Sequence, residues 1–284
     1  MVDETRGAGI SLLVPYRNDG GEGRRDNWDW LRQYWEHTLP EAEIILGDAP
    51  GNPFSKTCAI NAAFRKSTGD VLVQIDADCY IDPAVILDCA KEIRIGRGRA
   101  PREEVWFVPF RHLYRLNRPS TLLLIGSDPC DPFRFGSPPD EEDVGPTSGS
   151  GFGHWYGALI QIYPREAFEM VHGMDARFRG WGGEDISFTF VLDTLFGEHR
   201  TTDNQVLTLF HTIQAKPKTN PDLLRLWDGQ EDPRKNWNLA GRYRTALRNP
   251  EVMRGIVEEW TSNPQLSQHL IHPSQPSEQN QTQP

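Results

Sequence analysis

Val71-Leu72-Val73-Gln74-Ile75-Asp76-Ala77-Asp78 is the stretch on which the fold is read. A mostly apolar, β-branched run ends abruptly in two carboxylates one residue apart. It reads as a buried strand whose carboxyl end opens into a polar turn. The same pattern occurs twice upstream. Residues 10–14 form a short apolar run closed by Pro15, and residues 43–46 form another closed by Gly47-Asp48. Between them Trp28, Leu31, Tyr34 and Trp35 recur at helical spacing, and residues 57–66 are helical with Gly69 as the stop. Strand, helix, strand, helix, strand at this rhythm predicts βαβ units and a mostly parallel sheet flanked by helices, an α/β fold.

In such sheets ligands sit beyond the carboxyl ends of the strands. Those ends are Pro15-Tyr16-Arg17, Gly47-Asp48 and Asp76-Ala77-Asp78, and a nucleotide would bind there. Asp76 and Asp78 can grip a hard divalent cation, which would neutralise a diphosphate and the charge growing on a leaving group. A D-x-D alone also occurs in ordinary turns and caps. His211 follows the apolar run 206–210 and offers a neutral third ligand, although a histidine at a strand end is often only structural.

Gly180-Trp181-Gly182-Gly183-Glu184-Asp185 is the sharpest feature downstream. Glycines let the backbone pass close to a ligand. Trp181 offers a flat face for a sugar ring, the carboxylates can bond its hydroxyls, and one of them can deprotonate an attacking hydroxyl. The same residues also read as a tight turn with Asp185 as the acidic N-cap of a helix over 186–196.

Elsewhere the pattern predicts a helix at 83–95, strands at 105–110, 156–163 and 205–210, and a short helix at 165–171. Residues 127–153 are rich in Pro, Gly, Ser and Asp and read as a long mobile surface loop, either a solvated insertion or an active-site flap. Residues 262–284 are polar and read as a disordered tail. The expected organisation is one catalytic domain over 1–261. Residues 10–110 form its nucleotide-binding half and residues 150–240 its acceptor and metal half.

Bulk properties exclude several classes. The 284 residues carry 30 Lys and Arg against 40 Asp and Glu, a net charge of -10. No global basic field exists to hold nucleic acid or an anionic membrane, though Arg111, Arg115 and Arg118 could line a local groove. The four cysteines, Cys58, Cys79, Cys89 and Cys130, form no CxxC pair and read as buried small hydrophobes in a reducing compartment. Residues 1–9 have no apolar h-region and no run approaches the ~18 apolar residues of a membrane span, so a cytoplasmic enzyme, bacterial or phage-encoded, is expected.

The motifs together resemble a known family. Pro15-Tyr16-Arg17-Asn18 is similar to the P-F-R-N segment of β-1,4-galactosyltransferases and chondroitin-type polymerases. The stretch from Phe54-Ser55-Lys56 to Asn61 resembles their F-N-R-A-K-L-L-N, and Asp76-Ala77-Asp78 their D-V-D. Gly173-Met174-Asp175 with Gly180-Trp181-Gly182-Gly183-Glu184-Asp185 resembles their G-F with G-W-G-G-E-D. His211 and Asn220-Pro221 resemble their metal histidine and the N-P after it. This order, kept over residues 10–225, implies a GT-A fold glycosyltransferase with a UDP-sugar donor and Mn2+ or Mg2+. Carried over by position, Pro15, Tyr16, Arg17 and Lys56 touch the nucleotide, with Asp48 on the uridine side. Asp78 and His211 bind the metal, and Asp76-Ala77 lies toward the donor, Asp76 within reach of the ion. Asp185 is the general base, Glu184 holds sugar hydroxyls, and Trp155 falls near the family's donor-specificity tyrosine.

Three departures qualify this. Thr208 stands where the family has a methionine ligand, Lys56 replaces an arginine and loses its bidentate geometry, and Ile186-Ser187-Phe188 replaces further acids. Gly-Gly-Glu-Asp-Ile-Ser-Phe also resembles polypeptide N-acetylgalactosaminyltransferases, which retain configuration. The expected reaction is inverting transfer to an acceptor hydroxyl on a glycan, protein or small molecule. A hydroxylated DNA base fits the acidic pI less well. A retaining enzyme and a nucleotide-sugar-binding module without turnover are the alternatives.

Overall fold

A computed structural model describes residues 7–18, 21–51, 53–145, 149–150, 159–180, 182–212 and 234–271. The first apolar run is strand β1 (Ile10–Pro15), followed by α1 (Arg24–Thr38), β2 (Glu43–Gly47), α2 (Lys56–Phe64) and β3 (Val71–Ile75). β1 lies between β2 and β3 and is parallel to both. Every residue of β1 and β3 is buried, the mark of strands covered on both faces. Trp28, Leu31, Tyr34 and Trp35 are buried along α1, so their spacing is the stripe that packs inward.

The chain continues through β4 (Cys79–Tyr80), α3 (Pro83–Gly98), β5 (Phe107–Val108), β6 (His112–Arg115), α4 (Arg118–Ile125), β7 (Gly149–Ser150), β8 (Ile160–Pro164) and α5 (Arg165–Met170). Then come α6 (Glu184–Leu195), β9 (Arg200–Thr201), β10 (Gln205–Thr208), α7 (Arg234–Ala246) and α8 (Pro250–Thr261). The main sheet has the order β2-β1-β3-β8-β5-β9. It is parallel except at β8, which runs antiparallel to β3 and β5. A second sheet, β4-β10-β6-β7, stands at the carboxyl end of β3. The result is the mixed, mostly parallel sheet flanked by helices that the sequence predicts.

Three expectations are corrected. Residues 262–271 are ordered: Pro264–His269 is a 3-10 turn whose Leu266 is buried, as is Ile271, and Asn61 Nδ2 donates to the His269 carbonyl at 3.1 Å. Residues 272–284 lie outside the described residues. The stretch 127–145 is tied down rather than free, because Asp143 accepts from Ser120 Oγ at 2.7 Å and its carbonyl from Asn117 N at 2.9 Å. Residues 146–148 and 151–153 of that loop lie outside the described residues. Cys130 is exposed, whereas Cys58, Cys79 and Cys89 are buried as expected, and all four are free thiols. Among the described residues no helix is long and apolar enough to cross a membrane.

Candidate functional site

The ends of β1 and β2 bring the first group together. Tyr16 N donates to Gly47 O at 2.9 Å, so Arg17 and Asp48 leave the sheet side by side. Arg17 Nε and Nη2 donate to Asp48 Oδ1 at 3.0 and 2.9 Å, and Nη1 to Gly51 O at 2.6 Å. Its guanidinium lies 5.0 Å from the centroid of Phe54. Pro15, Tyr16, Arg17 and Asp48 thus share one corner, a strand away from Asp76.

The second group depends on a stitch between distant segments. Ser55 caps α2, accepting from Cys58 N, and its hydroxyl donates to Phe178 O at 2.9 Å, while Gly180 N donates to Phe54 O at 3.0 Å. Asn61 holds Met174 from both sides, with Nδ2 donating to its carbonyl and Oδ1 accepting from its N–H. A Cβ on Gly173 would sit 2.7 Å from Asn61 Oδ1, so only glycine fits. These contacts pin the Phe54–Asn61 segment to the one that leads into Asp185. Their outcome is that Lys56 Nζ lies 2.6 Å from Asp76 Oδ1 and 2.8 Å from Asp185 Oδ2.

Asp185 is also held from the sheet. Gln74 Nε2 donates to its Oδ1 at 3.1 Å, and Gln161 Nε2 donates to its backbone carbonyl at 3.3 Å. The helix begins two residues earlier than the sequence suggested: Glu184 opens α6 and Gly183 is the cap residue, with no side-chain cap. Asp185 therefore spends its carboxylate on Lys56 and Gln74, and the capping reading fails. Glu184, 7% exposed, accepts from Gly182 N at 2.9 Å.

Asp76, Glu184 and Asp185 crowd around one ammonium. Burial pushes the Asp185 carboxyl up to about 7; Lys56 opposes this, and the charges of Glu184 and Asp76 add to it. Burial also raises Glu184 and Asp76. Lys56 is raised as well: burial works against its charge, but Asp185, Asp76 and Glu184 outweigh it and keep the amine protonated. Such a clustering of perturbed groups makes this a candidate functional site.

The third group comes from the second sheet. β10 runs antiparallel to β4 with Thr208 opposite Cys79, and Leu209 N donates to Asp78 O at 2.9 Å. This register carries His211 to Asp78, with Nε2 3.1 Å from Oδ2. The other ring nitrogen faces Thr212 O at 3.3 Å, which leaves Nε2 as the atom offered to a ligand. One carboxylate oxygen and one imidazole nitrogen suit a divalent ion that takes its remaining ligands from water and phosphate. Asp76 points to Lys56 instead, and no group of three or more such side chains is assembled among the described residues.

Comparison with known proteins adds one match to a family profile. A profile described as the N-terminal domain of galactosyltransferase matches residues 153–190, the stretch that contains Glu184 and Asp185. That segment of the chain is similar to a galactosyltransferase domain. No curated protein sequence matches it significantly. Among solved structures, the catalytic domain of Drosophila β1,4-galactosyltransferase 7 with xylobiose is similar at 14% identity, covering 82% of this chain and 79% of that one, with a TM-score of 0.43. A mutant of that enzyme with manganese, UDP-Gal and xylobiose gives 14% identity, 80% and 78% coverage, and a TM-score of 0.42. A mannosyltransferase from Pyrobaculum calidifontis with GDP-Man and Mn2+ gives 13%, 92% and 77%, and 0.40.

Some of the motif residues, Trp155, Trp181 and Asn220-Pro221, lie outside the described residues. Others escaped the sequence reading. Gln74 and Gln161 face each other across β3 and β8, each no more than 1% exposed. Tyr163 OH donates to Gln74 Oε1 at 3.4 Å, and Gln161 Nε2 also donates to Thr189 Oγ1 at 2.9 Å. The signal was present: each glutamine is the one polar residue within an apolar strand core, and a buried amide needs partners.

Proposed function

We propose that the chain transfers a sugar from a UDP-sugar to an acceptor hydroxyl on a glycan, protein or small molecule, with inversion at the anomeric carbon and with Asp185 as the general base. The observation that carries this is the Asp185 carboxylate, fixed at one oxygen by Lys56 and at the other by Gln74, beside the strand end that carries Asp76. Each carboxylate oxygen keeps a lone pair free for an acceptor proton. As Asp185 takes that proton, the acceptor oxygen bonds to the anomeric carbon from the face opposite the diphosphate. The bond from that carbon to the diphosphate oxygen breaks, and the nucleoside diphosphate leaves. Glu184 holds hydroxyls of a bound sugar, as do the segments carrying Trp155, Trp181, Gly182 and Gly183. Pro15, Tyr16, Arg17, Asp48 and Lys56 hold the nucleotide.

Asp78 and His211, with Asp76-Ala77 toward the donor, would hold Mn2+ or Mg2+. Such an ion supplies counter-charge for the departing diphosphate. Manganese with a UDP-sugar is also the pairing named for the Drosophila complex.

UDP is expected to raise the melting temperature, and more so with manganese, because it binds the folded state alone. Arg17→Ala or Lys56→Ala should shrink that rise. Stabilisation by GDP and none by UDP would overturn the choice of base. The anomeric configuration of the product, read by NMR, tests inversion; retention would favour the N-acetylgalactosaminyltransferase-like alternative.

Gln74→Leu tests how the base is positioned. It removes one donor to Asp185 while keeping an apolar side chain in β3. Misplacing a reacting group by about 1 Å costs up to about a hundredfold, so a ten- to hundredfold fall in kcat is expected with UDP affinity unchanged. Full activity in this variant would show that Gln74 does not orient Asp185.

A further inference from the structure

The chain carries 40 Asp and Glu against 30 Lys and Arg, yet one cleft is lined by Arg177, Arg179 and Lys235 and, among the described residues, by no carboxylate. Its volume is about 370 Å³, room for a small ligand. The two arginines come from the segment between α5 and α6, Lys235 from the first turn of α7, and Leu266 from the 3-10 turn after α8. The cations are not equivalent. Arg177 is committed, with Nη2 donating to Asp175 Oδ2 at 2.8 Å and Nη1 lying 3.1 Å from Glu259 Oε1. Arg179 is partly buried, and its Nη1 meets the Cys58 thiol at 3.1 Å. A guanidinium has five donors in a fixed fork and a thiol is a weak acceptor, so this fork has donors left for the cleft. Its field is felt at the buried His269, whose pKa is lowered by burial first and then by the charges of Arg179 and Arg65. Asn263 accepts from Gln265 N through Oδ1 at 3.0 Å, so the amide end it has left is a donor.

The walls are fixed in place. Asn236 clamps the backbone of Arg179, its Nδ2 donating to the carbonyl at 2.8 Å and its Oδ1 accepting from the N–H at 3.4 Å. Asn236 O also lies 3.3 Å from where a Cβ on Gly183 would sit, so the same residue touches the loop that delivers Glu184 and Asp185. The cleft shares no lining residue with the Arg17–Asp48 corner or with Lys56, Asp76 and Asp185. A cleft of one sign focuses its field and draws in the opposite charge. Arg179 and Lys235 stand on separate elements, and the several oxygens of a phosphate can meet a guanidinium fork and an ammonium at once. Leu239 and Leu266 add an apolar side on which the carbon frame of a phosphomonoester can rest. We propose that this cleft is a second binding site, separate from the nucleotide corner, and that it takes a phosphate group, free or carried on a small organic molecule. This site does not depend on the sugar-transfer reading.

The test uses the full chain in EDTA with saturating UDP, so that neither a metal at Asp78–His211 nor an empty nucleotide corner collects the probe. Inorganic phosphate and glucose 6-phosphate are titrated by calorimetry at constant ionic strength, with glucose as the neutral control. At least one phosphate-bearing probe should bind, and glucose should not. Arg179→Met should weaken that binding by about ten- to a hundredfold, the scale of one charge-assisted hydrogen-bonded contact. Arg179→Lys, which keeps the charge, should lose less. The melting temperature and its rise with UDP should not change. Lys235 is exposed, so Lys235→Met, expected to weaken binding in the same direction, carries the test if Arg179→Met does not fold. Equal affinity for the two probes would name free phosphate as the source, and tighter binding of glucose 6-phosphate would name a phosphorylated small molecule; either supports the site. Absence of binding to both probes, binding that neither Arg179→Met nor Lys235→Met weakens, or binding seen only when UDP is left out would each overturn the proposal.

Discussion

Asp185→Asn is expected to fold, to bind UDP normally and to lose sugar transfer by about 10² to 10⁴, the usual cost of removing a general base. The amide keeps the shape of the carboxylate and its one oxygen can still accept from Lys56 or Gln74, though not from both, and it cannot take the acceptor proton. Had Asp185 been a helix cap, Asn would be nearly silent and Ala would cost about 1 kcal/mol of stability. The carboxylate makes no such cap contact, so the damage should fall on turnover. Its pH dependence follows from the same surroundings. With the Asp185 carboxyl raised to about 7, the base is half ionised near neutrality, and kcat/KM of the wild type should rise through pH 7 to a plateau. Stability should run the opposite way. The folded state holds this proton more tightly than the unfolded chain, whose carboxyl ionises at about 4. This group's contribution is therefore present below that value and lost as pH climbs toward 7. Asp185→Asn should lack both trends, which thermal melts and rate profiles at matched pH will show.

Asp78→Ala and His211→Ala should each abolish manganese-dependent transfer. Counter-charge on a departing diphosphate is worth several kcal/mol, which corresponds to about a thousandfold or more in rate. Asp78 and His211 come from different sheets' ends and meet through the β4–β10 register, so the two variants should behave alike, and the double variant should be no worse than either. Wild-type turnover in both single variants would remove the metal assignment. Titration of manganese against each variant, followed by the UDP-dependent melting shift, separates loss of the ion from loss of folding.

Much of this was legible in local pattern. The runs 10–14 and 71–75 mark β1 and β3 because strands buried on both faces are written as continuous apolar stretches. What was not legible depends on non-local pairing. β4, β5, β7 and β9 are two residues long and carry no period to detect. Nothing in the run that becomes β8 indicates that it lies antiparallel to β3, so the juxtaposition of Gln74 and Gln161 was hidden although each amide was conspicuous in its strand. The polar stretch after Ser262 looked unable to order itself. Leu266 and Ile271 nevertheless reach buried positions, and Asn61 supplies a partner for the His269 carbonyl. Asp185 was visible as a candidate, but its commitment to Lys56 depends on the stitch from Ser55 to Phe178, which no local spacing encodes.

The most direct measurement is UDP release from a panel of UDP-sugars, with manganese and with EDTA, by the full chain. Release from at least one UDP-sugar is expected, abolished by EDTA and by Asp78→Ala, and accelerated by an acceptor only when Asp185 is intact. A chain that binds UDP and manganese yet releases no UDP from any UDP-sugar, with or without acceptor, would be a binding module and would contradict the account.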